Sequence, residues 1–406
     1  MNVPIPTRHP DRPRPVPSVL RPMALALGVG KPTQEQWRRL GESLTVGDES
    51  MDRLAEWMSS VGMDEARSLF DRAVTEGIAN IADAPEPLHN FFTRVEAVPE
   101  WVDWDQLRRG QRALRRGGAD GMYIARDVSL LGGYQFSGFN KTLIRTGALE
   151  KGSNKRFAET MQWAMDVISD GGMAPRAVGY RSTLRVRLIH ALVRRHVARM
   201  PDWRGDEWGV PVNQTDMAAT LVGALIAPAA GAIGMGIVLR PRDFDAIAHL
   251  TRYVGWLIGV QDEWLPHDFR DGIRVLYHTV SALSEPDEST KRLAVPMVED
   301  PLGWQYRSLP GVRRRLARAQ HLSVTSGYLG PRTMRELGLP AYVPPWYPVV
   351  RIPVNLARSV VALTLPGGMD RAAERGQREQ KVLLRTMIGD GDATIGDSAA
   401  HVSGAA

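Results

Sequence analysis

Apolar residues recur at intervals of three and four along most of this 406-residue chain, and strict every-second-residue alternation is nearly absent. That period lines apolar side chains along one face of a helix, so it predicts an all-α fold in a single globular multi-helix domain. Helices are expected near 34–46, 48–60, 63–78, 86–95, 103–117, 120–149, 153–169, 175–199, 214–237, 242–265, 267–282, 291–298, 311–320, 331–337, 352–364 and 367–388. Residues 1–33 are rich in proline and arginine, which excludes continuous helix there; a disordered or extended arm with few core residues is expected. The domain then runs over 34–388, and 389–406 read as a flexible tail whose GDGD lacks the glutamate of a calcium loop.

Two apolar stretches raise a membrane question. Met217–Leu239 is uncharged and long enough to span a bilayer. Its Ala and Gly content, the interruption at Pro228 and Asp216 at its start fit two close-packed interior helices better, so no transmembrane segment is expected. Val349–Leu365 could lie on a membrane surface or a partner, which leaves peripheral membrane contact open, but a core helix is the preferred reading. Inside 120–149, Gly132, Gly133 and Gly138 cost helix stability and point to close approach of another helix or of a flat ligand.

One helix carries unusual chemistry. Between Arg181 and Arg199, Thr183, Val186, His190, Val193 and Val197 share a face, with Arg187 and Arg194 at its border. Two readings fit: a core histidine satisfied by a backbone carbonyl under a solvated arginine face, or an axial iron ligand with Arg187 or Arg194 near haem propionates. The chain has no cysteine. Thiolate-ligated haem, covalent c-type haem, cysteine-ligated iron–sulfur clusters, cysteine zinc sites and disulfides are therefore excluded.

Other motifs have structural explanations. Asn213 is placed to cap a helix begun by Gln214, with Asp216 near its positive end, and Thr220 can return its hydroxyl to a backbone carbonyl. Asp262 and Glu263 are adjacent and do not share a face, and His249 with Tyr253 fits an aromatic core stripe. HExxH is absent. Lys141, beside Thr142, is an ordinary solubilising residue if exposed and a neutral amine able to ligate iron or move protons if buried.

The net charge of +6 and pI near 9.7 favour acidic surfaces, yet no nucleic-acid-binding motif accompanies them. The first residues contain no apolar signal core, and a cytoplasmic location is expected.

Four ordered segments together resemble the haem-dependent MpaB and rubber oxygenase (latex clearing protein) family: PEWVDWDQLRRG at 99–110, GFNKTLIRTGAL at 138–149, RVRLIHALVRRH at 185–196 with GVPVNQTDMAAT at 209–220, and GWLIGVQDEWLP at 255–266. The resemblance implies a globin-like helical core holding a non-covalent haem b. It makes His190 the proximal iron ligand, Lys141 the distal lysine, which occupies the sixth iron position in a closed state, and Thr142 its neighbour. The chain departs from the rubber-cleaving pattern at Gly138, where those enzymes carry an arginine. The acid supporting the distal lysine is unmatched; Asp127 is the nearest upstream candidate, and the general base is unassigned.

The resemblance thus implies a haem b oxygenase or oxidoreductase using dioxygen on a hydrophobic small molecule of isoprenoid or lipid type. Its pocket is expected between the 120–149 and 214–237 helices. Two other classes stay open: a haem-binding sensor or carrier without turnover, and a cofactor-free helical interaction protein.

Overall fold

The computed structural model describes residues 4–147, 152–389, 391 and 393–395. Most of the expected tail, and residues 148–149 of the expected 120–149 helix, lie outside them. Helices and their connections make up the described residues, with no strand among them, as the three-and-four periodicity predicts.

The N-terminal arm lies along the body with one short helix, α1 (Arg21–Ala26). Few core residues are expected from it; it contributes Val16, Leu20 and Ala24, and it buries Arg8. Helix α2 (Gln34–Glu42) starts at a Thr33 capping box, and α3 (Glu49–Val61) at the side chain of Asp48. Helices α4 (Met63–Glu76), α5 (Glu86–Glu96) and α6 (Trp104–Arg115) follow.

The single helix expected at 120–149 is instead α7 (Gly118–Tyr123), a π-helical segment (Ile124–Leu130), the turn α8 (Leu131–Gly133) and, after a break at Tyr134–Phe136, α9 (Ser137–Arg145). Gly132 and Gly133 weaken the helix where the chain turns. The π segment buries two adjacent charged residues, Arg126 and Asp127, which bond each other at 2.7 Å.

Helices α10 (Ser153–Ile168), α11 (Val178–Ala198) and α12 (Gly205–Trp208) lead to α13 (Gln214–Ala232), the apolar centre of the fold, packed on the π segment and on α14 (Pro241–Ile258) and α15 (Phe269–Ala282). Asn213 caps α13 through the Asp216 amide at 3.0 Å, and Thr220 donates to the Asp216 carbonyl at 2.7 Å, both as expected. Two interior helices are expected here; α13 is one helix that continues through Pro228, supported by its neighbours. By length and composition Gln214–Met235 could cross a membrane, and half of its apolar stretch is buried in the protein. His249 accepts from the Asp103 amide at 2.9 Å and Tyr253 is fully buried, so that stripe is aromatic core.

The chain ends in α16 (Glu288–Glu299), α17 (Pro310–Glu336), α18 (Trp346–Thr364) and α19 (Gly368–Ile388). The two helices expected at 311–320 and 331–337 are both present within α17, separated at Gly330, whose φ of 75° is non-helical, with Pro331 opening the second. The core helix expected at 352–364 is not a core helix: α18 buries only Pro348, Asn355, Ser359 and Ala362.

Candidate functional site

His190 sits in the middle of α11, partly buried, and makes no hydrogen bond among the described residues; its Nδ1 is buried without a partner. Burial, followed by the nearby Arg194 charge, lowers its pKa to about 4, with Asp48 opposing, so the imidazole is neutral near pH 7. His249, His278 and His321 differ, since each ring has a partner: the Asp103 amide, the Gly30 carbonyl and Asp127. The carbonyl-satisfied core histidine is therefore not what α11 contains.

The arginines one turn to either side are held by acids of α3. Arg187 grips Asp48 through Nε at 2.6 Å and Nη2 at 2.9 Å, and also donates to Ser50 and to the Leu257 carbonyl. Burial raises the Asp48 carboxyl, but the Arg187 pair outweighs it and the net direction is down. Gly259 makes this possible: it ends α14 at φ 91°, and a Cβ there would overlap Asp48 and crowd Arg187. Arg194 donates to Asp52 at 2.8 Å and to the Val212 carbonyl at 2.6 Å; its Nη2 is buried without a partner among the described residues. Of the two expected anion-binding arginines, only Arg194 keeps a free donor.

Lys141 and Thr142 lie on α9, which packs on α16. The Lys141 ammonium pairs with Asp287, the N-cap residue of α16, and lies 5.7 Å from the Trp208 ring centre. Burial pushes Asp287 up, yet Lys141 and Ser289 hold its carboxyl below the usual range. Arg145, one turn on, bonds Asp202 at 2.5 Å and stacks over Trp203 and Trp208. Thr142 is buried. Asp127 does not meet Lys141: it lies within the fold, 2.5 Å from His321. The acid beside Lys141 is Asp287, on a helix start that Pro286-Asp287 announces in the sequence, 146 residues away.

No hydrogen bond or ion pair joins His190 to Lys141 among the described residues, and α11 packs chiefly on α10, α14 and α3. The Trp203–Trp208 pair, 5.1 Å between ring centres, lies between their helices: Trp203 packs on Val193 and Val197, and Trp208 receives Lys141.

The Gly138 departure has a structural counterpart that the sequence does not announce. Arg8, from the arm, occupies the space beside Gly138: a Cβ there would overlap the guanidinium. Arg8 donates to Asp216 at 2.7 Å, while its backbone amide bonds the Glu207 carbonyl at 3.0 Å. The arm thus ties α9, α12 and α13 together.

The expected apolar pocket is a cavity of about 60 Å³ lined by Gly121, Met122 and Ala125 from the 118–130 stretch and by Ala224, Leu225, Pro228, Ala229 and Ala232 of α13. Gln380 is its one polar side chain, and neither His190 nor Lys141 lines it. It is smaller than the pockets of about 300–1,000 Å³ that hold drug-sized ligands.

Residues 122–363 match the family described as ER-bound oxygenase mpaB/B'/rubber oxygenase, catalytic domain. The chain belongs to this family. The matched region contains Lys141, Thr142, His190 and most of the cavity wall, but not Arg8. Within this oxygenase family the chain is 22% identical over 187 residues to the rubber oxygenase of Streptomyces sp. (strain K30), a stretch covering 45% of each chain. Its fold is similar to that of latex clearing protein LCP in the closed state, with a TM-score of 0.61, 18% identity, and 84% and 91% of the two chains covered. At that identity the shared property is the fold.

Proposed function

We propose that this chain is a haem b-dependent oxygenase that acts with dioxygen on a hydrophobic small molecule of isoprenoid or lipid type. The observation that carries the reading is His190: a neutral imidazole with no hydrogen-bond partner, on the segment that resembles the family's proximal helix. Neutral imidazole is the form that ligates iron. The residues fit haem in donor chemistry, with His190 as the ligand and the unpartnered Arg194 Nη2 as a donor for a propionate. When bound, the haem would supply the redox chemistry that brings dioxygen to a carbon–carbon double bond.

The chain's own residues do the rest. The Arg187–Asp48 and Arg194–Asp52 pairs anchor α11 against α3 and fix the rotation that aims His190, while the Arg194 charge disfavours its protonation. Lys141, steadied by Asp287 and Trp208, is the candidate for moving a proton or a hydrogen bond, with Thr142 beside it.

Absorbance after reconstitution with haemin tests the reading. The wild type should give a Soret band that His190→Ala loses, and oxygen uptake with an unsaturated lipid should follow haem content. A colourless wild type, or a His190→Ala protein with full haem and an unchanged spectrum, would sink it; a Soret band without oxygen uptake would favour a sensor or carrier.

A further inference from the structure

Helix α18 is built with its polarity reversed. At 1.5 Å per residue its 19 residues extend about 28 Å. Its inward side is polar: Asn355 donates to Asp120 at 2.7 Å, Arg351 to the same carboxylate at 2.8 Å, and Arg358 to Glu379 at 3.1 Å. Arg351 and Arg358 are its only charged residues. The outward side is aliphatic: Val349, Val350, Val360 and Val361 are 60%, 57%, 57% and 52% exposed, with Trp346 and Leu365 also exposed at the two ends. A helix that turns its charges inward and its valines outward has a face made for something other than water.

Charge identifies the occupant. Residues 310–388 carry thirteen Lys and Arg against four Asp and Glu, a net of +9, while the remainder of the chain carries −3. Two identical copies pressed together through this region would bring two +9 segments into contact. An anionic lipid surface meets both properties, taking the aliphatic side chains of α18 below its headgroups and attracting the surplus positive charge of α17 and α19, which pack on α18. We infer that α18 docks this protein on anionic bilayers, lying in the plane of the interface.

The position of α18 gives the docking a use. A small polar pocket under its inner face, lined in part by Asn355, Arg358, Ser359 and Ala362, shares Gly117 and Ile237 with the apolar cavity. A docked α18 therefore holds the lipid beside the polar pocket that adjoins that cavity, and on the oxygenase reading the hydrophobic molecule would come from the bilayer on this side. The delivery step rests on the oxygenase reading; the docking does not.

Co-sedimentation of the full chain, without added haem, with phosphatidylcholine vesicles and with vesicles containing about 30% phosphatidylserine tests the docking alone. Binding to the anionic vesicles should weaken with salt and fall about tenfold or more in Val350→Glu/Val360→Glu. Both positions are exposed, and circular dichroism checks that the variant is folded. Because the chain lacks cysteine, Val360→Cys takes a single polarity-sensitive fluorophore, whose emission should shift to the blue on the same vesicles. No binding, binding undiminished in the double variant, or no emission shift overturns the inference. So does a wild-type dimer that the double variant dissociates without vesicle binding, which would make a second copy the occupant. Vesicle binding by a protein that never takes up haem would keep the docking and remove the oxygenase reading.

Discussion

Arg8 and Asp216, 208 residues apart, form an ion pair at 2.7 Å with both side chains almost wholly buried. Asp216 also receives Asn213 at 2.8 Å, whereas the Nε and Nη1 of Arg8 have no partner among the described residues. Arg8→Ala leaves a carboxylate in the interior and should lower stability by about 3 kcal/mol in urea unfolding. Gly138→Arg, the residue type of the rubber-cleaving pattern, should also destabilise, because Arg8 fills that space. The Arg8→Ala/Gly138→Arg double variant should be more stable than the two single losses add up to. Strict additivity would show that the two sites do not share a volume.

The two arginines flanking His190 should differ in what they hold. Arg187 faces a carboxylate that is 5% exposed, Arg194 one that is 36% exposed. Arg187→Met should therefore cost about 3–5 kcal/mol, the range for stranding a buried charge, and Arg194→Met about 1–2 kcal/mol. Equal losses in denaturant melts would mean that burial of the acid is not what decides.

Local pattern carried most of the fold to the reader and little of the site. The Asn213 cap, the Thr220 back-bond and the His249–Tyr253 stripe were legible because their causes lie within a few residues or in one helical face. The break at Tyr134–Phe136 was not: Gly132 and Gly133 mark a weak point, but nothing within a few residues tells whether the helix bends or ends there, nor that the preceding π segment buries the Arg126–Asp127 pair. The reversed α18 misleads for a related reason: its apolar content reads as core until Asp120, 231 residues from Arg351, is seen to claim its polar side. Likewise Arg187 and Arg194 look available until Asp48 and Asp52, about 140 residues upstream, take them.

Lys141 and Asp287 should separate structure from chemistry. Their pair is partly exposed, so its loss in Lys141→Met should cost under about 1 kcal/mol. Asp287→Ala also removes the cap that accepts the Ser289 amide at 2.8 Å and should cost about 1–2 kcal/mol. On the oxygenase reading, haemin-reconstituted Lys141→Met keeps its Soret amplitude while oxygen uptake falls. An unchanged uptake would leave Lys141 as a surface ion-pair residue.

Acid should destabilise this protein through its histidines well before its carboxylates are exhausted. Burial lowers His9, His190 and His278 to about 4 each, and moves His249 and His321 in the same direction. Between pH 4 and 6.5 the unfolded chain then binds protons that the folded chain refuses. The stabilisation from each depressed histidine is complete above 6.5 and is lost as pH falls toward 4, with a limiting slope of about 1.4 kcal/mol per pH unit. Asp300, raised by burial to about 6, works against this: the folded chain holds its proton above the ordinary carboxylate range, so its contribution falls as pH rises. Asp52 and Asp166, also raised by burial, act in the same sense as Asp300; five depressed histidines oppose these three aspartates, and stability of the haem-free protein in urea should rise from pH 4.5 to 6.5. His190→Gln removes one of these groups, so its stability should rise less steeply, by about 1 kcal/mol per pH unit. A slope identical to wild type would mean that His190 titrates normally in the folded protein, and the neutral ligand inferred for α11 would lose its basis.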